Sequence, residues 1–530
     1  MITLNLVSLL LISIIFISIF PNKYVRTGLS VLFSVFFCLE VSSLYIGGSF
    51  IDYKYYLHFN SGVLSMSGGF IMEIFLFFLL LIALSFLFFF ASNVRIFKKK
   101  RFDFISKAVI FIVCLAVLIG SRGGIYDKLK EIYSVVSTPV DKDFDDLLKK
   151  FGLTSKKDLK ASSGGKNIII ISLESFEKAF LHDKNRELTP NLRKRKESWT
   201  FYEMKQNKGS EWTAGSLYTV FTGLPSYFTG HPNFYLEGAK ESQLVSFGDI
   251  LNRSGYKSYH LSNNATFAGT RDILNVFGIN NILDGTFDGK YQEAPFGGAY
   301  DKDIFAEAKE ILEKRTSQKP FMLFISTIQV HTPDGWVDDR MLQLVEKKET
   351  DLETVALSTD WLVEDFISFL ENKNLLENTV VYLFPDHRFM GWKELFNTME
   401  ESRGLWFMTN AGKNDLRIDS TNFYQIDLLP NILSGAKITH NARFLSDFIE
   451  EDKNEFIEKN GKLLTALNTV ALTREKMIVP FSMIVDGKQY APGKRGLNIV
   501  VFDTEKQEVV DAFNVDTHGD EMLKINRNSE

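Results

Sequence analysis

Apolar positions along the chain follow two different regimes. Up to residue 122 they form four nearly unbroken runs, about 3–20, 27–47, 69–92 and 105–120. Each is near the length of a helix that crosses a bilayer, although the last is short and interrupted by Lys107. From residue 167 the apolar runs are brief and bounded by turn residues: NIIIISL, YKSYHLS, PFMLFIST, NTVVYLF and GLWFMTN. Between them lie TPNLRKRKES, SFGDILNRSG, DKDIFAEAKEILEKR, LSTDWLVEDFISFLENK and FYQIDLLPNIL, which carry helical spacing or caps. Strands alternating with helices predict an α/β domain, a mostly parallel sheet flanked by helices.

Two further segments complete the pattern. IYDKLKEIYSVV and FDDLLKKFG are amphipathic and charged, and the stretch closes on Ser162-Ser163-Gly164-Gly165. It reads as a linker that lies on the bilayer surface or packs against the following domain. After about 448 the helical pattern thins, and FSMIVDGKQY and LNIVVFDTEKQEVVDAFNV alternate with period two. The expected organisation is a transmembrane domain of about four helices over 1–122, an amphipathic linker over 123–166, an α/β domain over 167–448, and a helical segment with a small β-rich appendage over 449–530.

Charge orients the anchor. Lys23 and Arg26 lie between the first two runs, and Arg95, Lys98, Lys99, Lys100 and Arg101 between the third and fourth. The positive-inside rule puts both loops in the cytoplasm, and the 48–68 loop and everything after about 122 outside. A cleaved signal peptide would account for the first run alone, but that run lacks a basic leader and a small-residue cleavage site. Both cysteines, Cys38 and Cys114, fall inside apolar runs, so the exported part must fold on its hydrophobic core without disulfides. A formal net charge of −5 with no basic stripe excludes nucleic acid as a partner.

Chemistry concentrates where strands end. NTVVYLFPDH runs a buried strand into Asp386 and His387, and NIIIISLE runs another into Glu174. Open α/β sheets bind ligands at the carboxyl ends of their strands. In isolation, however, an Asp-His pair is a polar loop and a lone Glu is a helix-start residue. In KGSEWTAGSLYTVF, Thr213 opens a helix of small and apolar residues. A hydroxyl there is ordinarily an N-cap; beside a phosphate and a divalent cation it becomes a nucleophile. His331 follows the strand PFMLFIST, as a surface residue or a phosphate or leaving-group contact. Arg271 is either a phosphate partner or a helix-surface charge. Arg388, Trp212 and His260 read as rim or core residues.

These stretches together resemble the alkaline phosphatase/sulfatase-like superfamily, and within it the membrane-bound phosphoglycerol and phosphoethanolamine transferases. The blocks IIIISLESFEKAF, LTPNL, GSEWTAGS, FGDILNRSGYKSY, FAGTRDIL, AYDKDIF, PFMLFISTIQVHTPDG and NTVVYLFPDH are similar, in order, to the phosphoglycerol transferase I family. HTPDG and the WTAGS spacing favour it over lipoteichoic acid synthases. The resemblance implies that Glu174, Thr213, Asp386 and His387 bind one divalent metal, Mn²⁺, Mg²⁺ or Zn²⁺, and that Thr213 is the nucleophile. It gives His331 a catalytic and substrate-binding role, as the group that protonates the departing diacylglycerol oxygen, and makes Arg271 substrate-binding.

The implied function is transfer of glycerophosphate from phosphatidylglycerol to an exported glycan, through a phospho-threonine intermediate, by a multi-pass enzyme of the bacterial inner membrane whose catalytic domain faces the periplasm or exterior. Phosphoethanolamine transfer to lipopolysaccharide or glycan, and a non-catalytic glycan- or lipid-binding protein, are the alternatives. The C/S-x-P-S-R motif of true sulfatases does not occur, and the disulfides of phosphoethanolamine transferases have no cysteines to form them. KRGLNIVVFDTEKQEVVDAFNVDTHGD resembles part of an interleukin-like EMT inducer domain, and Asp516 and His518 within it are not read as catalytic.

Overall fold

The computed structural model describes residues 1–58, 71–92, 102–139, 142–230, 235–236, 238–265, 269–279, 281–284, 290–294, 298–317, 319–391 and 403–474, and beyond these the backbone of five strands between 483 and 524. The basic cluster Arg95 to Arg101, Asp516 and His518 lie outside the described residues. All four apolar runs are helical: α1 (Ile2–Ser18), α2 (Lys23–Gly47), α4 (Ile71–Ala91) and α5 (Phe102–Gly120), with a short α3 (Tyr53–His58) after α2. Two of them, Lys23–Gly47 and Ile74–Ala91, are long and apolar enough to cross a membrane. A third is added if Ile105–Gly120 and the next helix, α6 (Ile125–Val136), bent by 51°, count as one broken span, and Ile2–Ser18 falls short on length. Ile14, Ile17, Cys38, Leu84 and Phe88 pack among these helices. Phe75, Leu79, Ile82, Phe86 and Phe90 instead point outward, as lipid-facing side chains do.

The α/β domain begins with β1 (Asn167–Leu173), α8 (Pro190–Ser198), β2 (Thr200–Met204), α9 (Thr213–Thr222), β3 (Ala239–Ser242), α10 (Phe247–Arg253) and β4 (Lys257–Ser262). It continues through α11 (Thr270–Val276), β5 (Asn281–Asp284), the short pair β6 (Glu293–Ala294) and β7 (Gly298–Ala299), α12 (Asp301–Lys314) and β8 (Phe321–Ser326). Then come α13 (Asp351–Asn372), β9 (Thr379–Pro385), β10 (Leu405–Thr409), α14 (Leu428–Gly435) and α15 (Lys453–Ala471). A seven-stranded sheet has the order β2-β10-β9-β1-β8-β4-β5. The five strands from β9 to β5 are mutually parallel, and β10 alone is reversed, antiparallel to both of its neighbours, β9 and β2.

The unbroken apolar runs have a simple cause: both faces of the sheet are covered. Successive side chains of a strand point to opposite faces. Ile168 and Ile170 of β1 enter one core with Met322, Phe324, Val380 and Tyr382. Ile169, Ile171 and Leu173 enter the other with Leu323, Ile325, Val381 and Leu383. Burying each such side chain contributes ~1.5–3 kcal/mol, so the three central strands form a rigid floor. The sequence pattern misses β2 and β5, because TFYEM sits at a sheet edge with Glu203 exposed and NILD is only four residues long.

The linker packs against the α/β domain. Val135 of α6, Leu147 and Leu148 of α7 (Phe144–Lys150), and Phe151 are buried in the same core as Ile457 and Leu464 of α15. Farther along, Ser155 and Ala161 form isolated bridges to Leu244 and His440. Asn468 of α15 donates from Nδ2 to the carbonyls of Pro225 and Tyr227 at 2.7 and 3.0 Å, tying that helix to the turn behind α9. β11 (Leu472–Arg474) pairs with β3, and a five-stranded antiparallel sheet follows: β12 (Met483–Val485), β13 (Lys488–Pro492), β14 (Asn498–Asp503), β15 (Glu508–Val515) and β16 (Met522–Lys524).

Candidate active site

Three adjacent parallel strands end side by side. Leu173 pairs with Pro385, and Ser172 with both Phe384 and Ser326, so Glu174, Asp386 and Thr327 emerge along one edge. The turn after β1 binds them together. Thr327 Oγ1 accepts from the Glu174 N–H at 2.9 Å. Ser175 donates from its N–H to Asp386 Oδ1 at 2.9 Å and from Oγ to Glu174 Oε1 at 2.7 Å. Ser175 does this at φ 54°, a left-handed conformation that costs a non-glycine residue on the order of 1 kcal/mol and recurs at functional sites.

Thr213 reaches this edge from the other side, as the first residue of α9. Its neighbour Trp212 supplies no side-chain cap, so the first N–H groups of the helix face the crevice with their dipole. Gly215 allows this arrangement, because a Cβ there would meet Trp212 ring carbons at 2.7–2.9 Å. Thr213 is exposed, whereas Glu174, Asp386 and His387 are buried. Thr213 Oγ1 lies 3.2 Å from Glu174 Oε2, to which it donates, and 3.4 Å from His387 Nε2.

A buried polar network fixes the Thr213 loop to the Asp386 turn. Gln425 donates from Nε2 to the carbonyls of Asp386 at 2.6 Å and Ser210 at 3.2 Å, while its Oε1 accepts from the Asn207 N–H at 3.0 Å. Gln206 Oε1 accepts from the Arg388 N–H at 2.7 Å. Glu177, fully buried, takes Arg403 Nε and Nη2 at 2.8 and 3.0 Å and the Phe389 N–H at 3.1 Å. Sequence reasoning missed Ser175, Glu177, Asn207, Gln425 and Arg403. Only Glu177 carried a signal, as the second acid of SLESFE.

The electrostatics call for a cation. Burial, then the neighbouring Glu174 carboxylate, push Asp386 up to about 7. Burial opposes charge on His387, but Asp386 and Glu174 together outweigh it and raise the imidazole. His387 Nδ1–H donates to the Arg388 carbonyl at 2.8 Å, so Nε2 is the nitrogen turned towards the carboxylates, 3.4 Å from Glu174 Oε1 and 3.5 Å from Asp386 Oδ2, and its lone pair is free for a cation once its proton is displaced. Ligand atoms of Glu174, Asp386 and His387 all lie within 4.8 Å of one another. Two buried carboxylates, one imidazole and a hydroxyl are a donor set that fits a divalent cation.

The two remaining candidates stand differently. His331, beyond β8, feels the charges of His387 and Asp386. It stacks on Trp336 at 5.4 Å, and its Nδ1–H donates to the Thr332 carbonyl at 2.7 Å. Burial holds it down to about 4, so the resting imidazole is neutral with its lone pair on Nε2. That is a proton acceptor, in contrast to the acid expected for the leaving oxygen. Arg271 heads α11, and its guanidinium pairs with Asp284 at the end of β5, three strands along the sheet from β1. No contact among the described residues joins it to the Glu174 cluster.

A family profile described as Sulfatase matches residues 166–433. Phosphoglycerol transferase I of Citrobacter koseri is 27% identical over 261 residues, 46% of this chain and 33% of that protein. Lipoteichoic acid synthase of Staphylococcus aureus is 27% identical over 381 residues, 64% of this chain and 57% of that protein. The chain thus spans between about a third and three fifths of the curated relatives it matches. Among solved structures, the integral membrane lipooligosaccharide phosphoethanolamine transferase A from Neisseria meningitidis is similar at 15% identity and a TM-score of 0.46, covering 79% of this chain and 85% of that one. With the profile spanning half of its length, from the lysine before β1 to the last turns of α14, the chain belongs to the sulfatase family.

Proposed function

We propose that this protein is a membrane-bound, metal-dependent phosphoglycerol transferase that takes glycerophosphate from phosphatidylglycerol and passes it to an exported glycan, such as a periplasmic glucan, a capsule or a lipopolysaccharide sugar. The observation that carries the reading is the Thr213 hydroxyl: exposed at a helix N-terminus, 3.2 Å from Glu174 Oε2 and 3.4 Å from His387 Nε2. Glu174, Asp386, His387 and Thr213 would hold one Mn²⁺, Mg²⁺ or Zn²⁺ ion. Bound there, the cation supplies a lowered pKa for the hydroxyl and neutralises charge at phosphorus.

Thr213 Oγ, exposed to solvent, passes its proton to water and forms a bond to phosphorus as the bond to the diacylglycerol oxygen breaks; that oxygen takes up a proton from water and leaves as diacylglycerol, with glycerophosphate on the threonine. The N–H groups of α9 stabilise the charge on the phosphoryl oxygens. A sugar hydroxyl then attacks the phospho-threonine, His331 Nε2 accepts its proton, and the bond from phosphorus to Thr213 Oγ breaks as Oγ takes a proton back from water. Arg271 pairs with a phosphate of the substrate. The apolar helices anchor the chain in the bacterial inner membrane, with the α/β domain outside, so the crevice meets a donor whose head group lies at the bilayer surface.

The test is diacylglycerol release from phosphatidylglycerol by purified protein with Mn²⁺, together with peptide mass spectrometry of Thr213. Metal-dependent release, a glycerophosphate adduct on Thr213 and loss of both in Thr213→Ala are expected. A phosphoethanolamine adduct formed only from phosphatidylethanolamine would overturn the head group, and no adduct with either lipid would overturn the transferase reading.

A further inference from the structure

Helix α3 follows α2 directly, after Gly48 ends α2 in a left-handed cap at φ 71°. Six residues long, it presents two i, i+4 pairs on adjacent faces. Tyr53 and Leu57 form the first pair, 2% and 1% exposed within the core that also holds Trp212, Tyr218 and Tyr227. The Tyr53 ring meets Trp212 edge-on at 6.2 Å and Tyr227 at 5.3 Å, and its hydroxyl accepts from the Phe228 N–H at 3.4 Å. A segment lying between apolar helices is therefore anchored against the residue that precedes Thr213.

Lys54 and His58 form the second pair. Lys54 is 7% exposed and donates from Nζ to the Gly47 carbonyl at 3.1 Å. His58 donates from Nδ1–H to the Lys54 carbonyl at 2.8 Å, which puts the lone pair on Nε2. Both flank the crevice through geometry: Tyr53, the neighbour of Lys54, meets Trp212, which stands between Glu211 and Thr213, and the Lys54 charge is felt at Glu211. Burial first, then Lys54, His387 and His331, keep His58 neutral against the bond to Lys54 O, with its pKa down to about 4. The first turn of α3 is itself held: Asp52 accepts from the Tyr55 N–H at 3.0 Å and from Ser49 Oγ at 2.6 Å.

The crevice is rich in carboxylates, with Glu174, Asp386 and Glu211, yet the reaction proposed above needs an anionic phosphodiester there. Lys54 offers an ammonium, a three-donor point charge, and His58 Nε2 offers an acceptor for a head-group hydroxyl. Both arrive on the segment closest in sequence to the apolar helices. We propose that α3 forms one wall of the active site, and that Lys54 and His58 hold the phosphodiester head group of a bilayer lipid in front of Thr213. This rests on the phosphodiester-transfer reading, and it adds that the donor site is incomplete without the membrane part of the chain.

The experiment uses the full chain in detergent with Mn²⁺ and dioctanoyl-phosphatidylglycerol, following diacylglycerol release. Lys54→Met and His58→Ala are each expected to raise KM about tenfold or more, the loss of one charge-assisted or buried hydrogen bond, while kcat falls less than about threefold and Lys54→Arg recovers most of the KM. A merely structural α3 would lower kcat and thermal stability together without rescue by arginine, which overturns the proposal, as does a wild-type KM in both variants. If the wild type releases no diacylglycerol, the transferase reading fails by itself and native mass spectrometry decides the head-group site. Binding of the same lipid about tenfold weaker in the Lys54→Met/His58→Ala double variant sustains it, and equal binding, or none to the wild type, overturns it.

Discussion

The Ser175 N–H donates to Asp386 Oδ1 at 2.9 Å while the Ser175 hydroxyl donates to Glu174 Oε1 at 2.7 Å. One residue therefore sets the spacing of the two carboxylates, from the turn that follows β1 across to the end of its parallel neighbour β9. It does so from a left-handed backbone, φ 54°, that the rigid floor beneath it imposes.

Ser175→Ala keeps the backbone bond and loses only the hydroxyl. Glu174 then has one fewer group orienting it, and Mn²⁺ affinity is expected to fall ~10-fold, the scale of groups that orient metal ligands. Ser175→Gly should lose the same affinity but be the more stable of the two, since glycine tolerates φ 54°. Calorimetric titration of Mn²⁺ into both variants checks this, and wild-type affinity in Ser175→Ala would rule out the orienting role.

Asp386→Asn separates stability from metal binding. Without a cation, Asp386 is buried against Glu174 and pushed up to about 7. The amide keeps an acceptor for the Ser175 and His387 N–H groups and removes the like charge. In EDTA the variant is expected to unfold at a higher temperature than the wild type, by ~1–2 kcal/mol of relieved repulsion. Mn²⁺ should raise the wild-type midpoint and leave that of the variant unchanged. Equal midpoints in EDTA would show that the repulsion is absent.

Arg403 is expected to be worth more than its partial exposure suggests. It closes a bidentate pair with the fully buried Glu177 and donates to the Phe389 carbonyl at 2.7 Å, two residues beyond His387. Arg403→Ala strands a buried carboxylate and should cost ~3–5 kcal/mol. Adding Glu177→Gln should recover part of that loss. Thermal denaturation of the single and double variants measures it, and additive losses would contradict the coupling.

What could be read in advance follows from how locally each feature is encoded. Strand ends carrying Glu174, Asp386 and His387 were legible because a strand buried on both faces must be apolar throughout and its ligand-bearing end must not be. Thr213 was legible from the small residues that open α9. Gln425 and Arg403 were not, since each acts across more than 200 residues or out of a polar loop, at positions where Gln and Arg are ordinary surface residues. Trp212 and His260 do fall in the core as expected. The contribution of α3 was hidden for a different reason: a short polar stretch between apolar runs looks like a loop until its Tyr53 is found beside Trp212.

His260 gives a pH signature in the α/β domain that is independent of the Glu174–Asp386–His387 cluster. It is fully buried on β4, tilted against the Phe324 ring at 5.2 Å, and Ser326 Oγ lies 3.2 Å from its Nε2. Nδ1 has no hydrogen-bond partner. Burial, only partly opposed by Asp284, lowers it to about 3, whereas in the unfolded chain an imidazole titrates near ~6.5. Below that pH the unfolded state binds a proton that the folded state refuses, so the stability His260 lends is complete above about 6.5 and drains away as the pH falls towards 3. Between pH 6.5 and 4 the loss should approach ~3 kcal/mol. His260→Gln can still accept from Ser326 but cannot take up the proton. Its stability at pH 7 is expected to be lower, from imperfect packing, while its fall towards pH 4 is shallower than that of the wild type, so the two curves converge. His331 titrates in the same direction and remains in both proteins, so the difference between the curves isolates His260. Parallel curves would mean that His260 reaches a proton from solvent while still folded.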